Sequence, residues 1–347
     1  MQYDAFLLLS FGGPEGVDDV LPFLHNVTRG RGIPEERLAA VAEHYLHFGG
    51  VSPINAHNRA LLAALRTEFQ AHDIQLPLYW GNRNWKPYVA ETVRTMRDDG
   101  VRRALVLATS ATSSYSACRQ YRDDMAQARS VAGAGAPELV KLRHFFDHPG
   151  FVEANAAGLR TALGELPAEL REQARLVFTA HSIPTAMNET SGPEHNGLYL
   201  AQQLETARLV SEAVRGAGAE FDLVWQSRSG PPQVPWLEPD INDHLRSLTA
   251  NGVRAVAVCP TGFVSDHIEV LWDLDAEARE TAAELGLAFA RASTAEVHPD
   301  FVSAVRELVQ EQLGSAEPRH LGRLGLCGID CPDGCCPAPR RVATPGS

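Results

Sequence analysis

The sequence has no excess of positive charge, no bilayer-length apolar run and no glycine-rich nucleotide fingerprint, and each of these gaps excludes something. Of 347 residues, 43 are acidic and 31 are Lys or Arg, a net charge of −12. That balance argues against nucleic acid as the main partner, because phosphate backbones are bound by neutralising them. No apolar segment approaches the ~20 residues a membrane-spanning helix needs. Neither G-x-G-x-x-G nor a Walker A sequence occurs, so nucleotide use is unsupported. The start, Met1-Gln2-Tyr3-Asp4 followed by apolar Ala5–Ser10, has no basic n-region or small-residue cleavage site. It reads as a first strand rather than a signal peptide, and the cytoplasm is the expected compartment. Cysteine is sparse: there are six, and four of them crowd into residues 327–336.

What is present points to an α/β protein. Apolar residues make up 44% of the chain, and the length suits two domains with separate cores. Eight apolar runs read as strands: Ala5–Ser10, Pro77–Gly81, Ala104–Ser110, Leu139–Phe145, Ala174–His181, Phe221–Ser227, Ala255–Pro260 and Leu287–Ala292. Several are continuously hydrophobic, as expected of parallel strands buried on both faces. Between them lie helical patterns such as Ala56–Ala71, Val89–Asp99, Leu200–Gly216 and Asp240–Ala250. Strictly alternating elements predict βαβ units and doubly wound sheets, here two of four strands. The turn-like His148-Pro149-Gly150 marks the expected break. The predicted units are therefore 1–148, 149–318 and a Gly-, Pro- and Cys-rich tail, 319–347, whose last residues, Ala343–Ser347, are expected to be disordered. A monomer is the default expectation.

Two segments end strand-like runs where open α/β sheets place their chemistry. Phe178-Thr179-Ala180-His181-Ser182-Ile183-Pro184 offers an imidazole. Gly262 through Asp273 offers carboxylates, with Glu269, Asp273 and Glu277 spaced i, i+4, i+8. On an α-helix these lie along one face, drifting about 40° per step. An acidic ridge costs a few tenths of a kcal/mol per like-charged pair, and a passing cation offsets that cost. Spacing alone equally allows a solvated acidic face, and Asp266 with Glu269 also reads as a capping box, a purely structural use. Arg29-Gly30-Arg31-Gly32 is a flexible basic loop suited to carboxylates, or an ordinary surface turn. Cys327-x3-Cys331-x3-Cys335-Cys336 suits tetrahedral zinc or an iron–sulfur cluster. Cys259 lies in a buried strand pattern, and Cys118 follows the third strand.

Together these segments resemble the ferrochelatase family over most of the chain. Leu8-Leu9-Ser10-Phe11-Gly12-Gly13-Pro14 looks like the family's opening strand and turn, and Gly49-Gly50-Val51-Ser52-Pro53-Ile54-Asn55 like its G-G-x-S-P motif. Tyr79-Trp80-Gly81-Asn82-Arg83-Asn84-Trp85 and Gln226-Ser227-Arg228-Ser229-Gly230-Pro231 are similar to two further signatures. The segments around His181 and Glu269 resemble the two active-site motifs.

The resemblance implies two Rossmann-like domains with a porphyrin cleft between them, and insertion of Fe²⁺ into a porphyrin for haem synthesis. It implies that His181 and Glu269 handle iron and pyrrole protons, with Asp273 and Glu277 relaying cations or protons. Tyr45, Ser52 and Tyr121 match porphyrin-contacting positions, and Arg29 and Arg31 are candidates to meet propionates. Phe11 stands where some bacterial members carry an iron-ligating Tyr. Length and cysteine tail look like actinobacterial members, for which coproporphyrin III is the implied substrate; protoporphyrin IX is the alternative, and a non-catalytic porphyrin or iron carrier the reading from another class. Some members hold a [2Fe–2S] cluster on one internal and three C-terminal cysteines. Cys118 lies near the internal position, and Cys327, Cys331, Cys335 and Cys336 compete for the other three.

Overall fold

In a computed structural model of the protein, which describes residues 3–30, 32–230, 233–329 and 331–338, all eight apolar runs form strands. The first half runs β1 (Ala5–Ser10), α1 (Val17–Val27), α2 (Glu35–His47), α3 (Ile54–Ala71), β2 (Leu78–Asn82), α4 (Val89–Asp98), β3 (Arg103–Ala108), α5 (Gln120–Ala132) and β4 (Glu138–Lys141). The second runs α6 (Pro149–Glu165), β5 (Arg175–His181), α7 (Thr185–Glu189), α8 (Leu198–Arg215), β6 (Asp222–Gln226), α9 (Ile241–Ala250), β7 (Ala255–Cys259), α10 (Ile268–Val270), α11 (Arg279–Glu284), β8 (Ala288–Arg291) and α12 (Pro299–Leu313). Arg31 and Ala343–Ser347 lie outside the described residues.

The strands form two four-stranded sheets in the orders β2-β1-β3-β4 and β6-β5-β7-β8, the same topology used twice. Every pairing is parallel. Both faces of each sheet are covered, which explains the unbroken apolar runs. In the first sheet, Phe6, Leu8, Leu105 and Leu107 face α3 and α12, while Leu7, Leu9 and Val106 face α4 and α5. In the second, Leu176, Phe178 and Ala257 face α6 and α8, and Val177, Val256 and Val258 face α9 and α11.

Two expectations change. The fourth run leaves the sheet at Lys141, and Arg143, His144 and Asp147 just beyond it are buried polar side chains that seek partners outside the sheet. Arg143 meets Glu311 of α12 in a buried two-pronged ion pair at 2.7 and 2.8 Å. His148-Pro149-Gly150 is not a loop but the start of α6: Pro149 takes the first turn, and His148 Nδ1 accepts from Gly150 N–H. A Cβ on Gly150 would lie 2.2 Å from the Asp300 carbonyl, so α6 and α12 cross there at close range. Through Phe301, Val302, Val305, Leu308 and Val309, α12 fills the core beneath the first sheet. Its Arg306 also bonds Glu68 of α3 at 2.8 Å.

Candidate functional site

Each sheet has a switch point between its two central strands, where connections leave in opposite directions and open a crevice. Phe11 follows β1 and Tyr121 lies beyond β3. His181 ends β5, and Glu269 follows β7. A Cβ on Gly262 would lie 2.5 Å from Ala180 Cα, so the loop after β7 packs tightly on the end of β5. That contact brings the two chain-distant motifs together.

His181 Nε2 and Glu269 Oε2 are 3.9 Å apart. His181 Nδ1 donates to the Ser182 carbonyl at 2.5 Å, since a carbonyl can only accept. In the neutral ring Nε2 is then the bare nitrogen, and it faces the carboxylate. Tyr199 Oη donates to the His181 carbonyl at 2.8 Å and fixes the backbone. The His181 side chain is 34% exposed and that of Glu269 50%, so both can be reached from solvent.

The capping-box reading of Asp266 and Glu269 is overturned. The cap of α10 is His267, which makes no side-chain capping bond. Asp266 is instead bound by Arg291 and Thr294. Glu269 is thus not used as a capping partner. The ridge is also not a plain α-helix: Leu271–Ala278 is π-helical, a turn one residue wider than the α-helix assumed from spacing.

Asp273 accepts from Gln226 Nε2 at 3.1 Å and from the Ser227 hydroxyl. Thr179 Oγ1 donates to Gln226 Oε1 at 2.8 Å, which turns the amide NH₂ toward Asp273. Burial pushes the Asp273 carboxyl up to about 7, with Glu269 and Glu277 adding to the rise against these two donors. Glu277 is exposed. Opposite the ridge, His44 of α2 stacks on Trp272, with centroids 3.9 Å apart and planes 7° off parallel. Burial lowers the His44 pKa, opposed by Glu277 and Glu269. His44 and Trp272 escaped the sequence reading; the only hint was two histidines, His44 and His47, in the last turn of α2.

Phe11 is 37% exposed and meets Phe23 edge-on. Tyr45 is buried with Phe23, Trp85 and Ile268, so α1 and α2 rest beside the residue preceding Glu269. Burial and, secondarily, Glu269 raise its phenol pKa. Tyr121 is buried, with the Arg83 guanidinium 4.7 Å over its ring and 5.7 Å over that of Phe11. Arg83, which also pairs with Asp124, was quoted only as part of a motif, yet it joins two of the candidate positions. Ser52 is buried against Gly13, where a Cβ would meet its Oγ at 2.8 Å. Arg29 is exposed in the turn after α1.

Of the tail thiols, Cys331, Cys335 and Cys336 line one cavity of about 240 Å³ with Cys118, while Cys327 packs apart from them against the first core. Cys118 lies in a second π-helical segment, Tyr115–Arg119. Left-handed φ at Cys336 (50°) lets adjacent Cys335 and Cys336 both border the cavity, their sulfurs 3.8 Å apart. Gly192 N–H donates to Cys336 Sγ at 3.2 Å. Contact with Cys331 pulls the Cys118 thiol down, helped by Lys141 and His144, and the same contact together with burial pushes Cys331 up. Lys141, one of two lysines in the chain, is buried with a backbone carbonyl as its hydrogen-bond acceptor, and Arg122 lines the same cavity. Four thiols match in kind and number the donor set of a [2Fe–2S] cluster, in a cavity lined by Arg119 and Arg122 but also by Asp123 and Asp333. As placed, no three His, Cys, Asp or Glu side chains among the described residues are arranged to hold a metal.

Comparison with known proteins agrees with this geometry. The ferrochelatase family model matches residues 3–313, and the chain belongs to the ferrochelatase family. It is an enzyme of the metal-chelatase type, a lyase. A Nocardia farcinica protein named coproporphyrin III ferrochelatase is 56% identical over 353 positions, covering 100% of both chains. A Mycolicibacterium smegmatis protein of the same name is 59% identical over 322 positions, covering 92% of this chain and 93% of its own. Among solved structures, SirB from Bacillus subtilis with Fe³⁺ shares the fold, with TM-score 0.53 and 11% identity over 91% of this chain and 99% of that one. No described helix is long and apolar enough to cross a membrane.

Proposed function

We propose that the protein inserts Fe²⁺ into coproporphyrin III, a step of haem synthesis, in the crevice between its two sheets. The observation that carries this reading is His181 Nε2 facing Glu269 Oε2 at 3.9 Å. That separation is under twice the ~2.1 Å of a metal–nitrogen or metal–oxygen bond, so one cation can touch both groups. Imidazole and carboxylate suit ferrous iron without thiolate-like tightness, so release into the ring stays feasible. The shared name of the relatives quoted above supports the choice of porphyrin.

Metal insertion must bend the macrocycle and remove its pyrrole protons. A crevice that prefers the bent ring stabilises the transition state more than the ground state. His181 accepts pyrrole protons or ligates iron from one face. Asp273, held near pKa 7, takes protons onward at neutral pH, and Glu269 and Glu277 guide the hydrated cation. Phe11 faces the porphyrin side, Tyr45, Ser52 and Tyr121 support it from buried positions, and Arg29 and Arg31 meet propionates. At Phe11 there is no side-chain ligand for product iron.

Cys118, Cys331, Cys335 and Cys336 are the proposed ligands of a [2Fe–2S] cluster, which leaves Cys327 as the spare thiol. Lys141 and Arg122 balance its negative charge. The chain is proposed to divide near 148 and 318, to work as a monomer and to reside in the cytoplasm. Anaerobic turnover with Fe²⁺ and each porphyrin tests the central reading. Coproporphyrin III is expected to give the higher kcat/KM. Equal or better use of protoporphyrin IX would refute the substrate, and binding without turnover would favour the carrier.

A further inference from the structure

Behind the acidic ridge, Arg291 of β8 makes an arrangement that the proposed chemistry does not use directly. Its guanidinium has five N–H donors, and all five are spent. Nε donates to Asp275 Oδ1 at 2.9 Å, and Nη2 to Asp275 Oδ2 at 2.8 Å. Nη2 also donates to Asp266 Oδ2 at 2.9 Å, and Nη1 to Asp266 Oδ1 at 3.1 Å. The fifth bond, Nη1 to the Ala292 carbonyl at 3.3 Å, ties the fork to its own strand. Thr294 Oγ1 further holds Asp266 at 3.2 Å. Arg291 and Asp266 are almost fully buried, at 11% and 12% side-chain exposure.

The two carboxylates flank Glu269 and Asp273. Asp266 lies three residues before Glu269, and Asp275 lies between Asp273 and Glu277 inside the π-helical turn. We propose that Arg291 is a positioning residue for iron handling: by gripping both ends of segment 266–275 it fixes the first part of the wide turn, and hence the spacing of Glu269 and Asp273, with Glu277 two residues beyond the clamp. It also neutralises the two aspartates on the buried side. The remaining negative charge of the segment is thereby confined to the face open to a cation. A lysine would keep the charge but could not serve two carboxylates with parallel bonds. Arg279 reaches Asp275 only from the exposed side, at 3.4 Å, and does not reproduce the clamp.

This inference rests on the proposed roles of the ridge carboxylates, so the test includes E277Q as a separate control. R291M removes the guanidinium from buried Asp266 and half-buried Asp275 and is open to general destabilisation. R291K and the triple variant D266N/D275N/R291M avoid that, the one by keeping charge and the other by removing all three charges together. In anaerobic turnover with iron and porphyrin varied independently, KM for Fe²⁺ should rise about 10- to 100-fold in the triple variant, as for loss of an outer-shell partner. It should rise less in R291K, and KM for porphyrin should change by no more than about twofold, since neither Arg291 nor its two aspartates is among the proposed porphyrin contacts. An unchanged KM for Fe²⁺ in the folded triple variant or R291K overturns the positioning role. So does a parallel rise in both KM values, which would mark a general packing loss. If E277Q leaves KM for Fe²⁺ unchanged, the ridge reading fails independently of Arg291.

Discussion

Asp273 gives the sharpest test of the site's electrostatics. Burial pushes its carboxyl up to about 7, from the ordinary 3.8 of a free aspartate side chain. A carboxyl with a raised folded pKa stabilises the fold only while protonated, because between these values the folded state binds more protons than the unfolded one. Stability therefore falls as pH rises through this window. At about 1.4 kcal/mol per tenfold, the whole shift amounts to about 4 kcal/mol, of which roughly 2–3 falls between pH 5 and 8. Asp273→Asn keeps the shape: its amide oxygen can still accept from Gln226 and Ser227, and no charge develops. Urea unfolding at pH 5 and pH 8 should show the wild type losing roughly 2–3 kcal/mol more than the variant across that interval. The variant should also be the more stable protein at pH 8. Its iron insertion should slow by about 10²-fold, as expected when a general base is removed. Parallel pH profiles of stability for the two proteins would refute the argument, because they would mean that Asp273 is ionised at little cost where it lies.

His181→Ala should lower kcat about 10²- to 10⁴-fold with little change in Tm, since the ring is partly exposed and its loss leaves no sealed cavity. Near-wild-type insertion by that variant would end the central assignment. Cys118→Ala, Cys331→Ala, Cys335→Ala and Cys336→Ala should each abolish visible absorption and bound sulfide, whereas Cys327→Ala should retain both. Zinc without sulfide in the wild type, or loss of sulfide in Cys327→Ala alone, would refute the ligand set.

The strands were legible because parallel sheets covered on both faces demand uninterrupted apolar runs, and the chain supplies eight of them. The fourth run, Leu139–Phe145, outlasts the strand because Leu142 and Phe145 are as apolar as strand residues. What ends it is the pull of Arg143 toward Glu311, a partner 168 residues away that no local pattern announces. Position at strand ends pointed to His181 and Glu269 separately, but their meeting depends on a glycine, Gly262, that allows one loop to press on another strand. The π-helical turns at Tyr115–Arg119 and Leu271–Ala278 left no trace in a search for 3.6-residue periodicity. Arg291 looked like the end of an apolar run, since nothing near it in sequence reveals two aspartates waiting behind a helix. The exclusion of Cys327 from the thiol cavity depended on where the tail folds back, which spacing cannot state.

The placement of α12 has a consequence for how the chain is made. Phe301, Val305 and Leu308 complete the hydrophobic layer under β1 and β3, although they are among the last structured residues to be synthesised. The apolar layer beneath the amino-terminal sheet is therefore completed only after the final helix has been made, whereas domains generally fold as units, the leading one first. That layer must wait for the final helix, so the two halves reach their finished state together.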